Sequence, residues 1–238
     1  DKLVGARQAG KLKSGTSELN LLKAFGYSRE DLKIIIKPMV ESAQEPIGSM
    51  GNDTPHAVLS NNPQLLFTYF KQLFAQVTNP AIDPIREELV MSLQTYLGPE
   101  KDMLGETPGH CHKLLVRNPI LTNEELEKIR RIKENSFKTK TISLLFEVSA
   151  KNSFRKAIER ICKEAGSAIK GGYTFIILSD RQVNKDYASV PSLLAVSAVH
   201  HRLVEKAMRT QVGLVLESAE PREVHHFALL FAYGAGCV

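Results

Sequence analysis

Tyr173-Thr174-Phe175-Ile176-Ile177-Leu178 is apolar almost throughout, without the polar/apolar alternation of a half-solvated strand. A short run of this kind suits a parallel strand buried on both faces. Upstream, residues 153–168 place Phe154, Ala157, Ile158, Ile161, Cys162 and Ala165 on one helical face, and residues 141–148 are β-rich. Downstream, the helix expected over 191–208 is apolar through most of its first half, so it is largely buried, and 212–217 reads as the next strand. Pro221 suits the first helical position before Val224, Phe227, Ala228 and Phe231, and 234–238 begins another strand. Strands alternating with helices in this way make consecutive βαβ units, and crossover handedness turns them into a parallel sheet. A partial barrel and an open sheet both satisfy the pattern.

The N-terminal half is less regular. Residues 1–18 are polar, rich in Gly and Lys, and read as a connecting arm ahead of a domain over 19–238. Leu21, Leu22 and Phe25 suit a short helix capped by Gly26, and Ser28 with Asp31 opens a second helix through Leu32, Ile35, Ile36 and Met39. A helix is expected over 64–76, whereas 88–97 fits helix and strand equally. Residues 98–111 read as loop and 112–116 as strand, and Thr122 caps a helix through Leu126, Ile129 and Ile132.

Hydrophobic residues at 43% and charged residues at 24% fit a globular chain with a sizeable core. The net charge of +5 is spread among acidic residues, with only a modest basic cluster at 133–140, so no nucleic-acid partner is expected. No apolar run approaches the ~20 residues of a membrane helix, and no signal-peptide pattern opens the chain. Cys111, Cys162 and Cys237 stand at unrelated spacings, which points to a reducing compartment, most simply the cytoplasm. The chain starts at Asp1 and stops abruptly in the apolar run 227–238, so a piece of a longer polypeptide is expected.

Several constellations invite chemistry. His56, His110, His112, His200, His201, His225 and His226 could hold a metal, yet no His-x-x-x-His or Cys-x-x-Cys spacing occurs. Adjacent histidines on a helix point about 100° apart, so hydrogen-bonded structural roles are favoured. Cys111 between two histidines could be a nucleophile, but sequence neighbours rarely supply a dyad, and all three cysteines read as inert. Asp180-Arg181 follows a strand at the end where parallel folds place their chemistry; a surface ion pair fixing the loop before Pro191 is preferred to a substrate clamp. Arg86, Glu87 and Glu88 suit a charged brace between loop and neighbouring domain.

The loop-rich half carries three longer words. They are Gly48-Ser49-Met50-Gly51-Asn52-Asp53-Thr54-Pro55, then Tyr-Phe-Lys-Gln-Leu-Phe-Ala-Gln-Val-Thr-Asn-Pro over 69–80, then Ile-Asp-Pro-Ile-Arg-Glu-Glu-Leu-Val-Met-Ser-Leu over 82–93. Turn residues laced with apolar ones describe ordered irregular backbone, which is usually held for a functional reason. In that order the words resemble the central domain of the glutamate synthase large subunit, densely over about 20–98 and 188–238.

The resemblance implies an α/β fold: a helical, loop-rich first half followed by parallel βα units, like an incomplete TIM-type barrel. It implies a parent enzyme that converts glutamine, 2-oxoglutarate and reductant to two glutamates, with FMN and an iron–sulfur cluster held by other domains. The flanking amidotransferase and FMN-binding domains would be this chain's partners, and ferredoxin or a nicotinamide-dependent small subunit would supply electrons. No catalytic, cofactor or metal residue is expected here. Matching the words residue by residue puts two ammonia-tunnel residues on Met50 and Thr78. The plainer alternatives are loop packing for Met50 and a turn hydroxyl for Thr78. An independent module that holds a small anion at helix N-termini is the competing function.

Overall fold

A computed structural model describes residues 17–73, 79–102, 104–133 and 136–238. Residues 1–16 of the expected connecting arm lie outside them. Helix α1 (Glu18–Ala24) stops where expected, because Gly26 takes a left-handed φ of +67° and Tyr27 N–H folds back onto the Leu22 carbonyl at 2.8 Å. Ser28 and Asp31 then cap one another reciprocally, backbone N–H to side chain in both directions. The helix they open runs with π-type bonding over Asp31–Ile36 and continues as α2 (Lys37–Ser42), three residues beyond the expected Met39.

The helix expected over 64–76 is replaced, as far as Leu73, by one 3-10 turn, Leu66–Tyr69, followed by extended backbone at Phe70. Tertiary contacts override the local propensity here. Phe67 is fully buried and the Phe70 carbonyl turns outward to a side chain elsewhere in the fold. The stretch fitting both helix and strand contains both: one turn, α3 (Glu88–Met91), then β1 (Thr95–Leu97), which pairs antiparallel with β2 (Leu114–Val116). Helix α4 (Asn123–Arg131) starts with a full capping box between Thr122 and Glu125, a device worth about 1 kcal/mol.

The second half contains β3 (Thr139–Ser143), β4 (Leu145–Glu147), α5 (Ser153–Lys170), β5 (Phe175–Ser179), β6 (Tyr187–Ser189), α6 (Ser192–Glu205), β7 (Gly213–Glu217) and α7 (Val224–Ala232). Strands β3, β5 and β7 lie side by side in sequence order, all parallel. That order with one crossover hand places α5, α6 and α7 on one face. Ile142, Ile176, Leu178, Leu214 and Leu216 point to those helices, while Phe175, Ile177 and Val215 point to a second cluster with Leu97, Val116, Leu126 and Ile129. Phe175 to Leu178 are fully buried, as a strand covered on both sides must be. The fold is therefore α/β with a helix-covered parallel sheet, and among the described residues the sheet does not close into a barrel.

Three expectations need correction. The β-rich run 141–148 is two strands: Leu144 N–H still bonds Ser179, but its carbonyl accepts from Val190, and from there the chain pairs antiparallel with β6. Strand β6 has three residues and no periodic signal to announce it. The stretch 234–238 joins the sheet only as a parallel bridge between Val215 and Cys237, because Val238 turns away to bond Pro119 and Leu121. Pro221 is not the first helical residue either. Helix α7 starts at Val224, and residues 221–223 form a loop that buries Arg222.

Candidate functional site

The Met50 word forms a turn over 47–50 in which Gly51 N–H bonds the Gly48 carbonyl at 2.9 Å, with φ of +85° at Gly48 and +102° at Gly51. Its seat is the start of α7. His225 N–H donates to the Ser49 carbonyl at 2.8 Å, and a Cβ on Gly51 would lie 3.2 Å from the His225 ring. Only glycine lets the turn approach so closely. The Ser49 hydroxyl donates to the Glu45 carboxylate, and Ser49 is buried while Met50 is half-buried.

Beside the turn runs the chain from Leu65 to Lys71. Phe67 stacks on His226 with centroids 4.4 Å apart, the Phe70 ring meets Tyr233 edge-on, and His225 Nε2 donates to the Phe70 carbonyl at 3.2 Å. Two cross-links join this chain to the word that follows Met50: Tyr69 stacks on His56, and Lys71 Nζ donates to the Asp53 carbonyl. Thr78 lies outside the described residues.

Neither histidine of the pair is arranged as a metal ligand. His226 is buried beside Arg222 and His225, which pushes its pKa down to about 4, and its Nδ1 accepts from the Arg222 N–H. It is therefore neutral at ordinary pH. His110 bonds Thr107 and Asp102, His112 stacks on Phe137, His200 accepts from Arg209, and His201 bonds the Ser197 carbonyl. Among the described residues, no group of three or more His, Cys, Asp or Glu could hold a metal ion. Cys111 is exposed, Cys162 half-buried, and burial pushes the Cys237 thiol up to about 12.

Glu217 organises the carboxyl end of the parallel sheet. It accepts from the Ser179 hydroxyl, from Arg181 Nε and, at 2.8 Å, from Arg130 Nη2, while Arg130 also bonds Glu127 and Thr141. Burial acts against the Glu217 charge, but these donors outweigh it and hold the carboxyl below its ordinary range. Arg181 is thus an internal tie instead of a clamp. Asp180 is buried, contrary to a surface pairing. Burial lifts its carboxyl to about 6, against the hydrogen bonds from Ser218 and Ala219 N–H.

Two of the helix N-termini offered for a small anion, those of α6 and α7, are already filled. Glu220 accepts from Ser192 N–H at 2.8 Å at the head of α6, and the Ser49 carbonyl caps α7. Arg222, the buried cation in the adjoining cleft of about 260 Å³, is committed to Asp31 and to the Phe25 and Gly26 carbonyls.

The chain matches the sequence profile of the glutamate synthase central domain over residues 20–238. The chain belongs to the glutamate synthase central-domain family. It is 46% identical over 218 residues to the NADH glutamate synthase of Schizosaccharomyces pombe, covering 90% of this chain and 10% of that protein. Against the large chain of the NADPH glutamate synthase of Bacillus subtilis it is 44% identical over 216 residues, 91% of this chain and 14% of the other. Ferredoxin-dependent glutamate synthase 2 of Synechocystis is 38% identical over 219 residues, again 90% and 14%. The central-domain match thus spans a small part of each relative's length.

The Arg222 clasp and the His225 seat escaped sequence reading. The histidine pair was visible, but its role depends on residues more than 150 positions away.

Proposed function

We propose that this chain is the connecting domain of a longer glutamate synthase and forms part of the wall of an ammonia passage. The passage would join an amidotransferase domain to an FMN-binding synthase domain, in an enzyme making two glutamates from glutamine, 2-oxoglutarate and reductant. The observation that carries this reading is the Met50 turn, anchored rigidly on α7 within a block of irregular backbone whose outer side is apolar. Ile47, Val58, Leu59, Leu73, Ile85 and Leu89 are each 87–95% exposed. Exposed apolar side chains in such numbers suit a surface that other domains cover. The small share of each relative's length that the chain spans agrees with that.

The chemistry is coherent. Ammonium is a poor nucleophile and costly to bury, so a conduit between two sites must carry neutral ammonia past apolar, adaptable walls with a few neutral hydrogen-bonding stations. A half-buried Met50 offers a soft wall, and Thr78 is proposed as a hydroxyl station.

FMN and an iron–sulfur cluster do not fit the described residues, since the cysteines are dispersed and the heads of α6 and α7 are occupied by Glu220 and Ser49. Those groups are assigned to other domains, electron supply to ferredoxin or a nicotinamide-dependent small subunit, and the compartment to the cytoplasm. No described helix is long and apolar enough to cross a membrane. By itself the chain is proposed to be catalytically silent.

The test uses the intact enzyme. Met50→Trp and Thr78→Trp should raise the glutamine hydrolysed per glutamate formed, while synthesis driven by added ammonia suffers less. Tight coupling in both variants would remove these residues from the passage.

A further inference from the structure

We propose that His225 is the positioning residue that holds the Met50 turn of this passage against the α/β body. The proposal rests on the passage reading above, and its test separates the two.

One side chain meets both segments. The His225 ring lies under Gly51, where an added Cβ would come within 3.2 Å, and its backbone N–H holds the Ser49 carbonyl at 2.8 Å. Met50 sits between those two contacts. From its edge the same ring donates Nε2–H to the Phe70 carbonyl at 3.2 Å, on the neighbouring chain 65–71. A carbonyl only accepts, so the contact requires a proton on Nε2. The contacts of Tyr69 with His56 and of Lys71 with Asp53 lie on exposed residues and join the two segments only to each other. His225 connects them to α7, and through α7 to the sheet.

The neighbouring contacts explain why this seat is rigid. His226, one residue on, stacks on the fully buried Phe67 and is fixed by the Arg222 N–H, while Tyr233 holds the Phe70 ring from the far end of α7. The carbonyl that His225 grips is therefore on backbone already immobilised on both sides. A ring held between fixed backbone and a glycine leaves the Met50 turn little freedom, which is what a narrow conduit demands.

The experiment compares three variants of the full-length enzyme in glutamine hydrolysis, glutamine-driven synthesis and ammonia-driven synthesis. His225→Phe keeps a flat ring under Gly51 and removes the donor to Phe70; it should raise the glutamine hydrolysed per glutamate by about twofold or more. His225→Gln restores an N–H donor and should recover most of the coupling. Gly51→Ala presses on the same ring from above and should uncouple as His225→Phe does. A purely structural role predicts instead that the two synthesis rates fall together, and that outcome overturns the proposal. Wild-type coupling in both His225→Phe and Gly51→Ala also overturns it. If Met50→Trp or Thr78→Trp uncouples while these variants do not, the role of His225 fails and the passage stands; if none uncouples, the passage itself fails.

Discussion

Arg222 and Asp31, separated by 191 positions in sequence, form an ion pair at 3.1 Å. The guanidinium is almost wholly buried, lies 3.8 Å over the Tyr27 ring, and also donates to the Phe25 and Gly26 carbonyls. This clasp holds the N-terminal helices onto the loop before α7. Arg222→Met removes every one of those donors and leaves Asp31 partly solvated, so it should cost about 3 kcal/mol. Hydrogen exchange should rise first over 18–42. Uniform acceleration across the sheet would mean the clasp does not act locally.

Glu217 gathers β5, β7 and α4 around one carboxylate whose side chain is 9% exposed. Glu217→Gln keeps the shape but turns amide hydrogens toward two arginines, and a loss of roughly 2–4 kcal/mol is expected. Its folded pKa is depressed, so its contribution is present above the ordinary carboxylate range and disappears as pH falls through the folded value. A thermal midpoint unchanged in the variant at neutral pH would contradict this account.

Two buried groups pull stability in opposite directions between about pH 4 and 6.5. Asp180 has a folded pKa raised to about 6, so the folded state holds its proton longer and stability falls as pH rises through that window. His226 has a folded pKa lowered to about 4, so the unfolded chain takes its proton first and stability rises over the same window. Each effect is worth up to about 3 kcal/mol. Relative to the parent chain, Asp180→Asn should steepen the rise of the thermal midpoint with pH and His226→Asn should flatten or reverse it. Parallel curves for all three proteins would show that neither group titrates as described.

Gly213 opens β7 directly against the β1–β2 pair. A Cβ there would lie 2.8 Å from Leu97 Cγ and 3.0 Å from the Gly98 backbone nitrogen. Gly213→Ala should cost about 1–3 kcal/mol and loosen β1 and β2 selectively. Combining it with Leu97→Ala should cost less than the sum of the two, because the Leu97 side-chain atoms that clash are then gone and only the Gly98 nitrogen still presses on the new Cβ. Simple additivity would place the strain elsewhere.

Apolar patterning settled the βα rhythm, because a strand covered on both faces shows a continuous apolar run, as at 175–178, and α5 shows its buried side every three or four positions. Caps at Gly26, Ser28 and Thr122 were equally legible, since each device is complete within a few residues. The words around Met50 identified the family from sequence, well ahead of any geometry.

Tertiary structure decided whatever depends on distant partners. The helix expected over 64–76 gave way because burying Phe67 against His226 and fixing the Phe70 carbonyl on His225 outweigh a propensity of tenths of a kcal/mol per residue. The direction of the Glu217 and Asp180 shifts, the seating of the Met50 turn and the burial of Arg222 arise from contacts spanning 36 to 197 positions. Local sequence carries no record of such contacts, because their energies exist only once the chain has brought both partners out of water.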